Sequence, residues 1–187
     1  GDHHCTASEV KAMLRDQSED SSDRKILEYM DLSVLNTKTI EAYRNMQSSI
    51  KPTHPWLKVP FEEYLYLIEA AGYAEKDGKL HPTAAGLLMF GEEPTIVREF
   101  PEYFLDYREM LDPVTRWTDR LVSSSGEWTG NVFDFYFRVY NSLIQVLRVP
   151  FKMEGGIRID DTPMHKALRE ALANCLVNTD YFLPQAV

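Results

Sequence analysis

The chain has 187 residues, of which 44% are hydrophobic and 12% aromatic, and its formal net charge is −9. That is enough apolar surface for a packed core, which excludes a disordered tail. The charge is spread, with 7 basic against 9 acidic residues in 1–56, 3 against 7 in 57–95 and 10 against 13 in 96–187, so no third carries the positive footprint that phosphate-backbone binding needs.

Residues 1–56 read as a connector with helical pieces. Thr6 or Ser8 caps a first helix through Arg15, with Val10, Met13 and Leu14 on one face. The polar stretch Asp16 to Asp23 is a loop, a short helix is predicted over Arg24 to Met30, and a third runs from Thr37 to about Ser49. Pro52 and Pro55 then break the pattern, because each fixes its own backbone and restricts the residue before it. A domain boundary is expected there.

Residues 57–95 are predicted as a small winged-helix-like unit of helix, hairpin and helix. Pro60 opens a helix with Phe61, Tyr64, Leu65 and Ile68 at helical spacing, and Gly72 ends it. Strands follow over Tyr73 to Lys76 and Lys79 to His81, around the Asp77-Gly78 turn. Pro82 and Thr83 start the second helix, closed by Gly91. Such a wing would touch nucleic acid through Lys76 and Lys79, but Glu62, Glu63, Glu69 and Glu75 surround them. The module is therefore read chiefly as a packing unit.

From 96 to 187 the pattern changes to an antiparallel β-hairpin packed with two long helices. Tyr103, Leu105 and Tyr107 alternate with Phe104, Asp106 and Arg108, a period of two that argues for a strand. Asp112-Pro113 is the expected turn, and Arg116 to Ser123 returns. Asp106, Arg108, Arg116, Asp119 and Arg120 are expected as cross-strand ion pairs, each worth roughly 0.2–1 kcal/mol. A helix of about twenty residues, capped by Thr129 or Asn131, carries Val132, Phe135, Tyr136, Val139, Leu143 and Leu147 as core and ends at Pro150. Gly155-Gly156 allows a turn before a short strand, Ile157 to Asp160. The fold class expected from all of this is α+β.

The last helix, within Asp161 to Tyr181, is capped by Asp161 or Thr162 with Pro163 at its first position. Met164, Leu168, Ala171, Leu172 and Cys175 are its expected buried stripe. Lys166, Glu170, Asn174 and Asn178 form a polar ladder on another side. Asparagine is a mediocre helix former, tolerated on a solvated face or where a carboxamide oxygen meets a metal or polar partner. On the first of these readings, Lys166 and Glu170 are a surface pair worth about 0.2–0.5 kcal/mol.

Other chemistry is sparse. Asp2-His3-His4-Cys5 holds metal-ligating residue types but sits at a chain end with no second cluster, and reads as frayed. Cys5 and Cys175 have neither metal nor disulfide spacing, which fits a reducing, cytoplasmic setting. No run of 18 apolar residues exists and no signal peptide is recognisable, so no membrane partner is expected.

Leu168-Arg169-Glu170-Ala171-Leu172, followed by Asn174 and Asp180-Tyr181, resembles a signature of bacterial proteins described as transcriptional regulators or RecG-related helicase-like proteins. Further pieces resemble the same family in order: Leu80 to Gly91, Phe100 to Arg108, Arg116 to Arg120, and Gly126 to Asn131. These proteins pair an N-terminal Schlafen/AlbA-type domain with a C-terminal domain similar to the GHKL ATPases, and residues 1–15 resemble the exit from the former. The resemblance implies that Glu170 is the catalytic general base that polarises water. It also implies that Asn174 is the magnesium ligand, and that Asn174 and Asn178 are cofactor-binding. The family usually has histidine where this chain has Asn178. Gly1 at the start, and the stop shortly after Tyr181, suggest a central fragment ending just after the N-box-like helix. The glycine-rich nucleotide boxes would then lie beyond Val187. The expected function is to couple a nucleic-acid-interacting domain to a nucleotide-binding one. The fragment itself would be non-enzymatic and without cofactor, with ATP, magnesium and DNA as ligands of the full-length protein. The alternatives are a DNA-binding winged helix and an ATP-hydrolysing GHKL-like domain in the full chain. Aromatic-rich 96–150 is the expected face of any homodimer.

Overall fold

A computed structural model describes residues 22–110, 118–146, 152–154, 157–159 and 162–182. The fold is α+β, with helices joined by two-stranded antiparallel sheets. The expectations for residues 1–21, the Asp112-Pro113 turn, Arg116, Pro150 and Gly155-Gly156 lie outside the described residues. By contacts the chain divides into two units: residues 1–35 with 41–88, and residues 36–40 with 89–187.

In the first unit, α1 (Thr37–Ile50, its first residues belonging to the second unit) and α2 (Phe61–Leu67) precede the hairpin β1 (Ala71–Tyr73) and β2 (Leu80–Pro82), which leads to α3 (Ala84–Phe90, its last two residues belonging to the second unit). Arg44 ties α1 to the turn before α2, donating to the carbonyls of Leu57 and Val59 at 2.8 and 2.7 Å and lying over the Tyr64 ring. Tyr64 and Leu65 are fully buried, as their spacing predicts.

Three local readings are corrected here. The helix expected over Arg24 to Met30 is only a short turn, Ser22–Arg24, followed by extended chain. Ile26 bridges Thr83, and the Leu27 N–H donates to Pro82 O at 2.9 Å, so this segment flanks β2 opposite β1. A β-branched residue beside a fully buried leucine suits an edge strand better than a seven-residue helix. Second, α2 stops well before Gly72. The Ala70 N–H reaches Leu65 O and the Glu69 N–H reaches Tyr66 O, a complete Schellman ending with Glu69 at φ 58°. Third, this early stop moves the strands. Gly72 lies inside β1 opposite His81, and Asp77-Gly78 falls in the loop Ala74–Lys79 rather than in a two-residue turn.

Gly86 lies inside α3, where helix propensity opposes glycine. A Cβ there would sit 1.9 Å from the carbonyl oxygen of Ala70, so α3 rests on the entrance to β1 at a distance only glycine permits.

The second unit contains α4 (Glu93–Glu99), β3 (Asp106–Glu109), β4 (Asp119–Val122), α5 (Val132–Val146), the hairpin β5 (Lys152–Glu154) and β6 (Ile157–Ile159), and α6 (Pro163–Val177). The helix α4 was not anticipated, although Pro94 in its first turn is a start signal. β3 pairs with β4 in the register Asp106↔Val122 to Glu109↔Asp119. The Asp106 side chain, 5% exposed, accepts from Nε and Nη2 of Arg120, each at 2.9 Å, and also pairs with Arg108. Those charged groups hold its carboxyl below the ordinary range, Arg120 contributing most.

The fully buried Asn131 caps α5, its Oδ1 accepting from the Asp134 N–H at 2.9 Å and its Nδ2 donating to Gly91 O at 3.1 Å. Of the expected stripe of α5, Val132, Phe135 and Val139 are buried, joined by Phe133, while Tyr136 and Leu143 are half-buried. At the end of the chain, Tyr181 packs on Tyr103 and Phe182 on Phe100, with ring centroids 5.7 and 5.0 Å apart.

Candidate functional site

The local start of α6 is set by Thr162 and Pro163. His165, only 3% exposed, receives the Thr162 hydroxyl and N–H on Nδ1 at 2.8 and 3.3 Å and closes a reciprocal cap. The inward line of α6 is His165, Arg169, Leu172 and Leu176, rotated from the expected stripe. Met164, Ala171 and Cys175 are exposed, and only Leu168 and Leu172 of that stripe are half-buried. Two polar residues take inward places because each has a partner: His165 is spent on the cap, and Arg169 donates to the Tyr140 hydroxyl of α5 at 3.1 Å. Hydrophobicity by itself does not register such partners.

With that rotation fixed, Lys166, Glu170, Asn174 and Asn178 all lie on the exposed side of α6. Glu170 and Asn174 are one turn apart, so their side chains neighbour each other on the helix surface. Asn178 is the C-terminal capping residue. Its Nδ2 donates to Asn174 O at 2.9 Å, and its backbone N–H reaches the same carbonyl at 3.1 Å. This use of the amide closes the last turn of the helix. Tyr181 and Thr179 add to it, their hydroxyls reaching the carbonyls of Leu176 and Cys175.

A carboxylate and a carboxamide both offer oxygen donors of the kind a hydrated magnesium ion takes while keeping several waters. Among the described residues there is no group of three or more His, Cys, Asp or Glu side chains placed to hold a metal.

Lys76 and Lys79 lie exposed on the loop between β1 and β2, interleaved with Glu75 and Asp77. Asp77 is committed to the fold: its carboxylate accepts from the Lys79 N–H at 2.9 Å and from His81 Nε2 at 3.2 Å. The other ring nitrogen of His81, Nδ1, lies 2.6 Å from Met30 O. Two acceptors favour the doubly protonated ring, so the imidazole titrates above its ordinary value, the Met30 carbonyl first and Asp77 after it. The loop thus carries equal numbers of acids and bases, and its best-fixed charge is negative.

Sequence reasoning missed a pocket of about 300 Å³ in the first unit, at the junction of α2, β1 and the segment before α1. Arg24 and Glu69 stand at its rim, joined by two contacts of 3.1 Å, Nε to Oε2 and Nη2 to Oε1. Ile26, Leu67, Ala71 and Gly72 line it, with Tyr66 and Thr83. No sequence motif marks it, because its parts come together only once Glu69 takes the left-handed conformation.

Among the described residues no helix is long and apolar enough to cross a membrane. Residues 11–106, just over half of the chain, match a family described as a domain of unknown function, DUF8451. The chain belongs to that family. Neither a curated protein nor a solved structure matches it.

Proposed function

We propose that this DUF8451 member is a connector in a cytoplasmic transcriptional regulator of the kind its C-terminal motifs resemble, linking a nucleic-acid-interacting domain to a nucleotide-binding one. The observation that carries the reading is the exposed edge of α6, where Glu170 and Asn174 sit one turn apart with no inward role. On this reading α6 is one wall of a nucleotide site, and the phosphate-binding wall comes from glycine-rich segments of the full-length protein.

Magnesium-bound ATP, when held there, supplies an electrophilic terminal phosphate. The task of Glu170 is to orient a water and accept its proton, and that of Asn174 is to offer its carboxamide oxygen as a ligand. Both side chains are held in place by a helix whose two ends are fixed, by Thr162 with His165 at one and by Asn178 with Tyr181 at the other. Tyr181 and Phe182, packed on Tyr103 and Phe100, tie the far end of that helix to the core of the second unit. On this reading those ring contacts are the route by which a change at the edge would reach the packing around Phe100.

The 187 residues by themselves are expected not to hydrolyse ATP. In the full-length protein, Glu170→Ala should abolish turnover by about two orders of magnitude or more while nucleotide still binds, the behaviour of a lost general base. Normal hydrolysis by that variant would refute the assignment.

A further inference from the structure

The pocket of the first unit has a rim that stability does not explain. Glu69 is the one non-glycine residue at positive φ among the described residues, at the Schellman position that glycine fills best. Its ion pair with Arg24 is exposed on both sides, 69% and 61%, and such pairs return little. The Schellman bonds and the Thr83 hydroxyl hold this backbone turn, and glycine would serve them equally well; the choice of a glutamate side chain there points to a role beyond folding.

The surroundings define what that role can be. The Thr83 hydroxyl donates to Glu69 O at 2.7 Å and accepts from the Gly86 N–H at 3.0 Å, so it is fully used and locks the rim's backbone in place. The charged groups that face a ligand are the Glu69 carboxylate and the Arg24 guanidinium, which pair with each other across the rim and which a ligand would have to part, above an apolar floor of Ile26, Leu67 and Ala71. Tyr66 stands at the side, half exposed, its ring 5.3 Å from that of Tyr73. The two rim charges cancel, so a lone anion or cation would strand one of them. A zwitterion matches both, its ammonium on Glu69 and its carboxylate on Arg24. A volume of about 300 Å³ admits one small molecule with an apolar side chain.

We propose that this pocket binds a free α-amino acid with an aliphatic or aromatic side chain, read by Arg24 and Glu69 at its charged end and by the Ile26–Leu67 floor at the other. Isothermal titration of the whole chain with L-leucine, L-isoleucine, L-valine, L-methionine and L-phenylalanine tests it. Isopentylamine and 4-methylpentanoate serve as half-ligands that each carry a single charge. At least one amino acid should bind saturably, and each half-ligand should bind tenfold or more weakly. Arg24→Met and Glu69→Gly should each cost tenfold or more in affinity, while Glu69→Gly keeps an unfolding midpoint at or above that of the unaltered chain. Absence of saturable binding across the panel would overturn the proposal, as would half-ligands that match the amino acid, or full binding by Glu69→Gly. A Glu69→Gly chain that fails to fold would overturn it too, since the glutamate would then be structural.

Discussion

Two positions in the first unit, less than twenty residues apart, break the rules of local structure in opposite senses. At Gly86 a helix interior carries the residue that helices disfavour. At Glu69 a helix end carries a glutamate where glycine belongs. Packing accounts for the first: a Cβ at 86 would fall 1.9 Å from Ala70 O, so the helix accepts poor propensity in exchange for close approach. For the second, the Schellman bonds and the Thr83 hydroxyl hold the turn but would hold a glycine as well, and an exposed ion pair to Arg24 is all the side chain adds. The difference shows how to separate a residue kept for the fold from one kept for something else: ask whether the departure from local preference is repaid by contacts.

The sharpest way to break this comparison is Gly86→Ala. Overpacking against backbone should cost about 3 kcal/mol, since neither the helix nor the Ala70 turn can move independently. A loss below 1 kcal/mol in denaturant unfolding would show that the contact relaxes. Glu69→Gly should do the reverse, leaving the chain as stable or up to about 1 kcal/mol more stable by the same measurement. Destabilisation there would place both residues in one class.

A third test extends the comparison to His81, a buried polar side chain whose contacts do repay it. Its folded pKa lies above the unfolded value, so its contribution is fully present below about pH 6.5 and is lost as pH rises through the folded value. Asp77, held low mainly by the Lys79 N–H, contributes above its unfolded value and loses that contribution as pH falls through the folded one. Hydrogen exchange near Met30 and Asp77 should therefore quicken as pH rises through the folded value, beyond the intrinsic increase, and His81→Gln should remove the excess. The smallest effect is expected at the loop tip. Reversing Lys76 and Lys79 to glutamate should leave any DNA affinity of the protein unchanged within error, and a drop of tenfold or more would restore the winged-helix reading.

How much of this was legible in the sequence varied with how local the cause was. The helix from Thr37, the period-two run through Asp106 and Arg108, and the rod from Val132 follow from patterns that neighbours alone impose, and each is present. The Thr162-Pro163 start of α6 is also local, and it too is found. The extended path of Ile26 and Leu27 was not legible, because its hydrogen bonds go to Pro82 and Thr83, over fifty residues away. The strand positions of the first hairpin were misread because they depend on where α2 stops, and a glutamate gave no sign of stopping it. The rotation of α6 was misread because His165 and Arg169 count as polar until their partners, Thr162 and Tyr140, are known. The ladder itself was placed correctly on the exposed side, since four polar residues at a spacing of four define a face without outside help.

That ladder bears the functional reading, and the magnesium dependence of nucleotide binding probes it most directly. The dissociation constant of a non-hydrolysable ATP analogue should be measured with and without magnesium for the regulator in which the proposal places this chain, and again for Asn174→Ala. The unaltered protein should bind tenfold or more tightly with the metal, and the variant should lose that gain. An equal magnesium effect in both proteins would contradict the role given to Asn174 and, with it, the nucleotide site built on α6.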